Sequence, residues 1–179
     1  PNDLYKCEKL ATFPILSKQT CALLAEPFPK QYQGAFIDTH LMDIFSRLKQ
    51  ANQNRIFYLK DVVFEHLHFR AGKSLVDETY LKRDRFYDDQ VFIALKTQRQ
   101  QSSQRLLMHI QEKPLPPIEE NSEKAINAKG FFALANIFRC FILDTELAFL
   151  KRLKLIAWFS ARYVVGRSSL RHMFKRLLK

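Results

Sequence analysis

The chain has 179 residues and a mass of 21.1 kDa, which suits one domain with a substantial apolar core and is short for two. Hydrophobic residues make up 47% of it, including 16 phenylalanines, so the composition excludes an intrinsically disordered protein. The net charge of +11 is unevenly placed: residues 1–150 carry 20 basic and 18 acidic side chains, whereas residues 151–179 carry nine basic and no acidic ones. An anionic partner is therefore expected to bind the C-terminal part.

Three cysteines, an odd number, occur without the spacing of a metal-binding motif: Cys7, Cys21 and Cys140. This usage is typical of reduced thiols in a cytosolic protein. The chain begins at Pro1 and has no signal-peptide pattern. We therefore expect either a processed chain or a part of a larger protein.

The first 50 residues predict two helices separated by a loop at residues 28–36. Ser17 can cap the first helix, which is expected to run to about Glu26 before a Pro-containing stretch ends it. Asp38 is placed to cap the second helix. The apolar side chains of this second helix fall on one face, at Leu41, Ile44, Phe45 and Leu48.

The next segment predicts two β-strands, at residues 55–59 and 62–64, because both runs are rich in β-branched and aromatic side chains. Side chains that can bind metal or phosphate follow the second strand: Glu65, His66, His68, Arg70 and Lys73. Ionisable groups between a buried strand and a helix lie where open α/β folds bind their ligands. The predicted class is therefore α/β, mixed and helix-rich.

The rest of the chain predicts helices on both sides of a linker. Residues 77–110 have a helical pattern that is expected to break, or to project into solvent, within the polar run at 98–104. A stiff, Pro-rich linker at 113–122 follows. It is expected to separate a first region, residues 1–112, from a helical and basic extension, residues 123–179.

Several short motifs occur in a familiar order between residues 10 and 90. They are FPILSKQT at 13–20, GAFIDT at 34–39, DIFSRL at 43–48, DVVFEHLH at 61–68, AGK at 71–73 and DETY at 77–80. Together they resemble the C-terminal, acceptor-side half of a family 2 glycosyltransferase with the GT-A fold. The resemblance implies a partial GT-A-like domain that helps transfer a sugar from a nucleotide-sugar donor to a glycan or lipid-linked acceptor. The nucleotide-binding half of such enzymes, with its Asp-x-Asp motif, is not found here, so the activity is expected to require one.

The resemblance assigns the role of catalytic base to Asp38, which would take the proton from the acceptor hydroxyl. A carboxylate suits this task when it is ionised and within hydrogen-bond reach of the hydroxyl. The residues alone favour a simpler role, in which Asp38 is only an N-cap. The two roles are compatible.

His66 and His68 resemble the metal ligand of part of the same superfamily, which helps to hold Mn²⁺ or Mg²⁺ beside the departing diphosphate. Two residues apart on a predicted strand, they would point to the same face and could bind one ion together. The alternative is a packed or hydrogen-bonded histidine pair.

Four further residues are assigned to substrate binding: Arg70, Lys73, Asp77 and Tyr80. The two cations could contact phosphate oxygens. The alternative for each cation is an exposed position in a loop. Asp77 can also cap the helix that follows.

The extension predicts a basic amphipathic helix. Residues 131–165 are dense in Phe, Leu and Ile, but charges interrupt them, so no transmembrane span is predicted. Helical spacing places Lys151, Lys154, Arg162 and Arg176 along one polar face. This face could bind an anionic membrane surface through residues 150–179, which predicts a cytoplasmic protein that is peripheral on the inner face of the membrane.

Two alternatives to membrane binding stay open for the extension. It could instead pack on the domain, and nucleic-acid binding is less favoured because no reader motif is present. A non-catalytic helical module that binds an anionic membrane or nucleic acid through this basic tail is therefore the alternative to a glycosyltransferase.

Overall fold

The computed structural model describes residues 1–24, 26–67, 72–75, 85–118 and 129–167. A short 3-10 helix at Cys7–Lys9 precedes helices α1 (Lys18–Leu24), α2 (Ile37–Gln50), α3 (Arg85–Ala94), α4 (Lys96–Ile110), α5 (Phe131–Ile142) and α6 (Phe149–Arg167). Helix α4 packs on α1 and α2, α5 packs on α6, and α3 contacts α4, α5 and α6.

The predicted α/β class is wrong, because the described part of the chain is helical and contains no β-strand, and so does not have a GT-A-like sheet. Its only ladder contact is an isolated parallel bridge between Asn2 and Val63. The segments predicted as strands are exposed, with Phe57 at 75% and Val63 at 50% of full exposure. β-Branched and aromatic side chains favour a strand only where neighbouring strands pair with it, and the described residues supply no such strand for these segments.

The predictions for α1 and α2 are largely confirmed. The Ser17 hydroxyl accepts a hydrogen bond from the Thr20 backbone N–H at 3.1 Å and so caps α1, although the helix ends at Leu24, earlier than expected. The apolar face of α2 is buried as predicted. The predicted cap is wrong, because α2 begins after Phe36 and Asp38 lies within its first turn.

The prediction that the helix breaks or projects into solvent at residues 98–104 is also wrong: the helix is interrupted at Leu95, and α4 continues through the polar run and is partly buried there. Polar side chains of that run are buried there, including Arg99 and Ser103. A polar helix face can be buried when its groups find hydrogen-bond and charge partners, which the sequence pattern does not reveal.

Two apolar clusters form the core. The first contains Tyr32 together with side chains of α3, α5 and α6, among them Phe92, Ile137 and Phe159. The second contains side chains of α1, α2 and α4, such as Leu24, Ile44 and Leu106.

A buried ionic network joins these two parts. The Arg47 guanidinium on α2 donates to both oxygens of Asp144, at 2.7 and 3.2 Å, in the turn between α5 and α6, and also pairs with the Glu146 carboxylate. The Asp43 carboxylate accepts from Arg47 at 3.1 Å and from Arg99 on α4 at 2.8 Å. Burial acts to raise the pKa of Asp43, but the charges of the two arginines outweigh burial and hold that pKa below its ordinary value.

We expect Asp144→Asn to lower the free energy of unfolding by about 3 kcal/mol, because Arg47 would keep its charge while losing a buried anionic partner. Urea denaturation followed by circular dichroism measures this change. The matched control is Glu146→Gln, which removes a half-exposed partner of the same arginine and is expected to cost less than about 1 kcal/mol. An equal decrease in the free energy of unfolding in the two variants would contradict the claim that the buried Arg47–Asp144 pair matters more than the half-exposed pair.

Candidate functional site

The loop that precedes Asp38 is held in place by hydrogen bonds to α3. The Asp88 carboxylate, fully buried on α3, accepts hydrogen bonds from the backbone N–H groups of Gln33 at 2.7 Å and Ala35 at 2.6 Å. Phe36 then adopts a left-handed conformation, with φ of 64°, which is costly for a residue with a side chain. The chain therefore enters α2 along a fixed path, and Asp38 follows in the first turn.

His66 lies against the N-terminal segment of the chain. Its backbone N–H donates to the Asp3 carbonyl at 3.1 Å, and its ring packs edge-on against Tyr5 and Phe13, with centroid distances of 6.0 and 5.5 Å. The ring atom Nδ1 lies 3.8 Å from Oδ2 of Asp3. The described residues up to 67 form no strand here, and His68 lies outside the described residues, so the shared strand face of the two histidines stays a prediction.

Asp3 is a buried anion that the sequence analysis did not identify. Its Oδ1 accepts hydrogen bonds from the backbone N–H groups of Tyr5, Lys6 and Cys7 at 3.0, 2.8 and 2.7 Å. Its Oδ2 accepts a hydrogen bond from the Thr12 hydroxyl at 2.8 Å. Burial acts to raise the pKa of Asp3, but these hydrogen bonds outweigh it and lower that pKa to about 2. Asp3 is therefore a fixed negative charge beside His66.

Asp38, His66 and Asp3 form one electrostatic unit, which we call the Asp38 cluster. Burial raises the pKa of Asp38 to about 6; the charge of His66 opposes this rise, and the charge of Asp3 adds to it. The charge of His66 thus acts on Asp38, and these two residues come from separate motifs in the sequence. A carboxylate with this pKa is ionised at neutral pH and is more basic than an ordinary aspartate.

The other residues assigned to the site are only partly described. The Lys73 ammonium pairs with the Glu65 carboxylate at 2.8 Å on the surface. His68, Arg70, Asp77 and Tyr80 lie outside the described residues. Two adjacent carboxylates on α3 have structural partners: Asp88 binds the backbone of the loop before α2, and Asp89 binds Arg162.

The described residues do not assemble a complete metal site. No group of three or more His, Cys, Asp or Glu side chains in the described ranges could hold a metal ion. Asp3 is committed to four hydrogen bonds, and His66 and Asp38 are the two other candidate ligands of the cluster. A divalent ion here would need additional oxygen ligands from a diphosphate, from solvent or from other parts of the protein.

The cations predicted to share one polar face of the extension differ in their partners. Arg162 makes two hydrogen bonds to the Asp89 carboxylate, at 2.8 and 2.9 Å, and Arg152 donates to backbone carbonyls, including that of Leu147 at 2.7 Å. Lys151 and Lys154 are exposed, and Arg176 lies outside the described residues. In the described ranges no helix combines the length and the apolar character needed to cross a bilayer.

Comparison with models of protein families, with curated proteins and with solved structures gave no significant match. The sequence motifs and the electrostatics of the Asp38 cluster are therefore the two sources of functional information for this chain.

We expect Asp38→Asn to be more stable than the wild type at neutral pH, by about 1 kcal/mol after allowing for partial exposure of the side chain. The raised pKa means that the folded state holds the Asp38 proton more tightly than the unfolded chain does. The wild type is therefore destabilised as pH rises from about 4 to about 6, whereas the amide variant is not.

Urea titrations of both proteins at pH 4 and pH 7.5 measure this difference, which should vanish at the lower pH. Asp61→Asn, at an exposed position, serves as the control and should show no such pH-dependent difference. A loss of stability in Asp38→Asn at pH 7.5 would contradict the assigned electrostatics.

Proposed function

We propose that this chain forms the acceptor side of a glycosyltransferase active site, with Asp38 as the catalytic base. The observation that supports the proposal best is the Asp38 cluster. Two residues that match separate glycosyltransferase motifs lie within electrostatic range of each other, and one of them has a pKa suited to general-base catalysis.

In the proposed reaction the Asp38 carboxylate accepts the proton of the acceptor hydroxyl. The hydroxyl oxygen forms a bond to the anomeric carbon of the donor sugar, the bond from that carbon to the diphosphate oxygen breaks, and the nucleoside diphosphate leaves with the electron pair. A pKa of about 6 keeps Asp38 ionised at neutral pH while making it a stronger base than an ordinary aspartate. The acceptor is a glycan or a lipid-linked glycan, and the donor is a nucleotide sugar.

His66 has the second role in the proposal. Asp3 and two aromatic rings hold the imidazole in place, so that it could face the diphosphate as a positive charge or offer a nitrogen ligand to Mn²⁺ or Mg²⁺. When bound, such an ion would neutralise charge on the leaving diphosphate. His68 is the second candidate ligand. Arg70, Lys73, Asp77 and Tyr80 complete the proposed substrate-binding set.

We expect Asp38→Asn to reduce sugar transfer by about 10²- to 10⁴-fold in the full-length enzyme, because an amide cannot accept the proton. Transfer of labelled sugar from a panel of nucleotide sugars to glycan and lipid-linked acceptors measures the rate. In the wild type, kcat/KM should rise with pH through about 6 and level off above 7, as Asp38 becomes ionised.

Asp61→Asn is the matched control for this assay and should keep wild-type turnover, since Asp61 is exposed in a loop. Wild-type turnover in Asp38→Asn would exclude Asp38 as the base. A panel that shows no transfer with the wild-type enzyme would instead favour the non-catalytic binding module.

We expect a chelator to abolish transfer and Mn²⁺ or Mg²⁺ to restore it. In His66→Ala the metal concentration needed for half-maximal rate should rise at least tenfold, because one nitrogen ligand is lost. His109→Ala, an exposed histidine on α4, is the control and should leave that concentration unchanged. Full activity in the presence of the chelator would remove the metal from the proposal without affecting the role of Asp38.

A further inference from the structure

Helices α5 and α6 form an antiparallel hairpin whose outer side is apolar and exposed. The hairpin is closed at one end by a 2.7 Å hydrogen bond from the Gly130 backbone N–H to the Tyr163 hydroxyl. We call its exposed outer side the hairpin face, which consists of Phe131, Phe138, Leu150, Leu153 and Val164. Phe131 and Leu150 are 79% and 78% exposed, so the packing of the described residues leaves them uncovered.

The hairpin face does not result from poor packing of the two helices. The opposite sides of α5 and α6 pack in the core: Ile137 and Phe159 are buried, and Phe159 stacks on Phe92 and Phe141. A mostly apolar groove between the two helices, lined by residues that include Phe131, Leu134, Phe138, Ile156 and Val164, continues the face. A contiguous apolar surface on an otherwise packed element indicates a binding surface.

The border of the hairpin face carries charge of one sign. Arg139, Lys151 and Lys154 are exposed at its edges. The two acidic residues of the segment 129–167, Asp144 and Glu146, pair with Arg47 of α2, and Asp144 is also buried. The apolar surface is therefore bordered by three exposed cations, and the two acidic residues of the same segment pair with Arg47 instead.

We propose that the hairpin face docks on an anionic lipid bilayer. Apolar side chains would enter the interfacial region while Lys151 and Lys154 bind acidic headgroups, as in amphipathic helices that lie in the membrane plane. A second copy of the chain fits less well, because it would place cations opposite cations. The proposal is independent of the transferase proposal and uses a different surface.

Trp158 provides a direct test because it is the only tryptophan in the chain. It is 44% exposed, packs against Phe159 with a centroid distance of 4.7 Å, and lies one helical turn after Lys154. Tryptophan at the edge of an apolar face is characteristic of membrane–water interfaces. Its fluorescence should therefore report docking.

The experiment titrates the full chain with vesicles of phosphatidylcholine, with and without phosphatidylglycerol, and records Trp158 emission. We expect a blue shift and quenching by brominated lipid with the anionic vesicles, little response to the neutral ones, and weaker binding as salt rises. The double variant Lys151→Gln/Lys154→Gln should bind the anionic vesicles about tenfold more weakly or worse. Phe138→Ser/Leu150→Ser should reduce binding by a similar factor.

Matched controls carry the same changes elsewhere on the surface. Lys18→Gln/Lys49→Gln removes two exposed lysines, and Ile15→Ser/Phe57→Ser removes two exposed apolar side chains. Both should bind like the wild type, and circular dichroism of every variant verifies that it is folded. Controls that weaken binding as much as the hairpin variants would overturn the assignment of this surface.

Three further results would overturn the proposal. Equal binding to neutral and anionic vesicles would exclude the role of the cations. A Trp158 shift that depends on protein concentration without vesicles would identify a second copy as the occupant. Binding of an oligonucleotide together with no response to anionic vesicles would identify nucleic acid instead.

Discussion

The structure depends on charges that are buried between its helices. Arg47 of α2 joins Asp43, Asp144 and Glu146, and Arg99 of α4 reaches Asp43 from the other side. Removing either partner of such a pair leaves an uncompensated charge in a medium that solvates it poorly, so the pairs tolerate little rearrangement. The position of α2 between α4 and the α5–α6 turn is therefore set by ionic geometry as well as by apolar packing.

This constraint extends to the candidate site, because α2 is held near both ends. Arg47 holds its last turn, and at the other end Asp88 fixes the loop that leads into the first turn, where Asp38 lies. His66 is fixed separately, through backbone and aromatic contacts to the N-terminal segment and through Asp3. A carboxylate and an imidazole on two independently supported segments are pre-organised, as the proposed catalysis by proton transfer and charge stabilisation requires.

The sequence predicted those features that depend on local patterns. The apolar stripe of α2 and the Ser17 cap follow from helical periodicity and capping chemistry, and both are present. The prediction of strands at residues 55–59 and 62–64 was wrong because a strand is stabilised by pairing with neighbouring strands, and the described part of the chain offers none. The pairing of Arg47 with Asp144 and of Asp3 with His66 joins residues far apart in sequence. No local pattern identifies such partners. Asp3 is a partial exception, because it accepts hydrogen bonds from the next backbone N–H groups along the chain, and aspartate at the start of a turn favours this arrangement.

Helix α3 connects the candidate site with the hairpin face through two adjacent carboxylates. Asp88 holds the loop before α2, and Asp89 binds Arg162 of α6 through two hydrogen bonds. Helix α3 thus fixes both the loop that precedes Asp38 and the position of α6. If both proposals hold, docking of the hairpin would place the Asp38 cluster at a constant distance and orientation from the bilayer. A transferase that acts on a lipid-linked acceptor would benefit from that arrangement. The lipid anchor holds the acceptor hydroxyl at a defined height above the membrane surface, and the proposed base must lie at the same height.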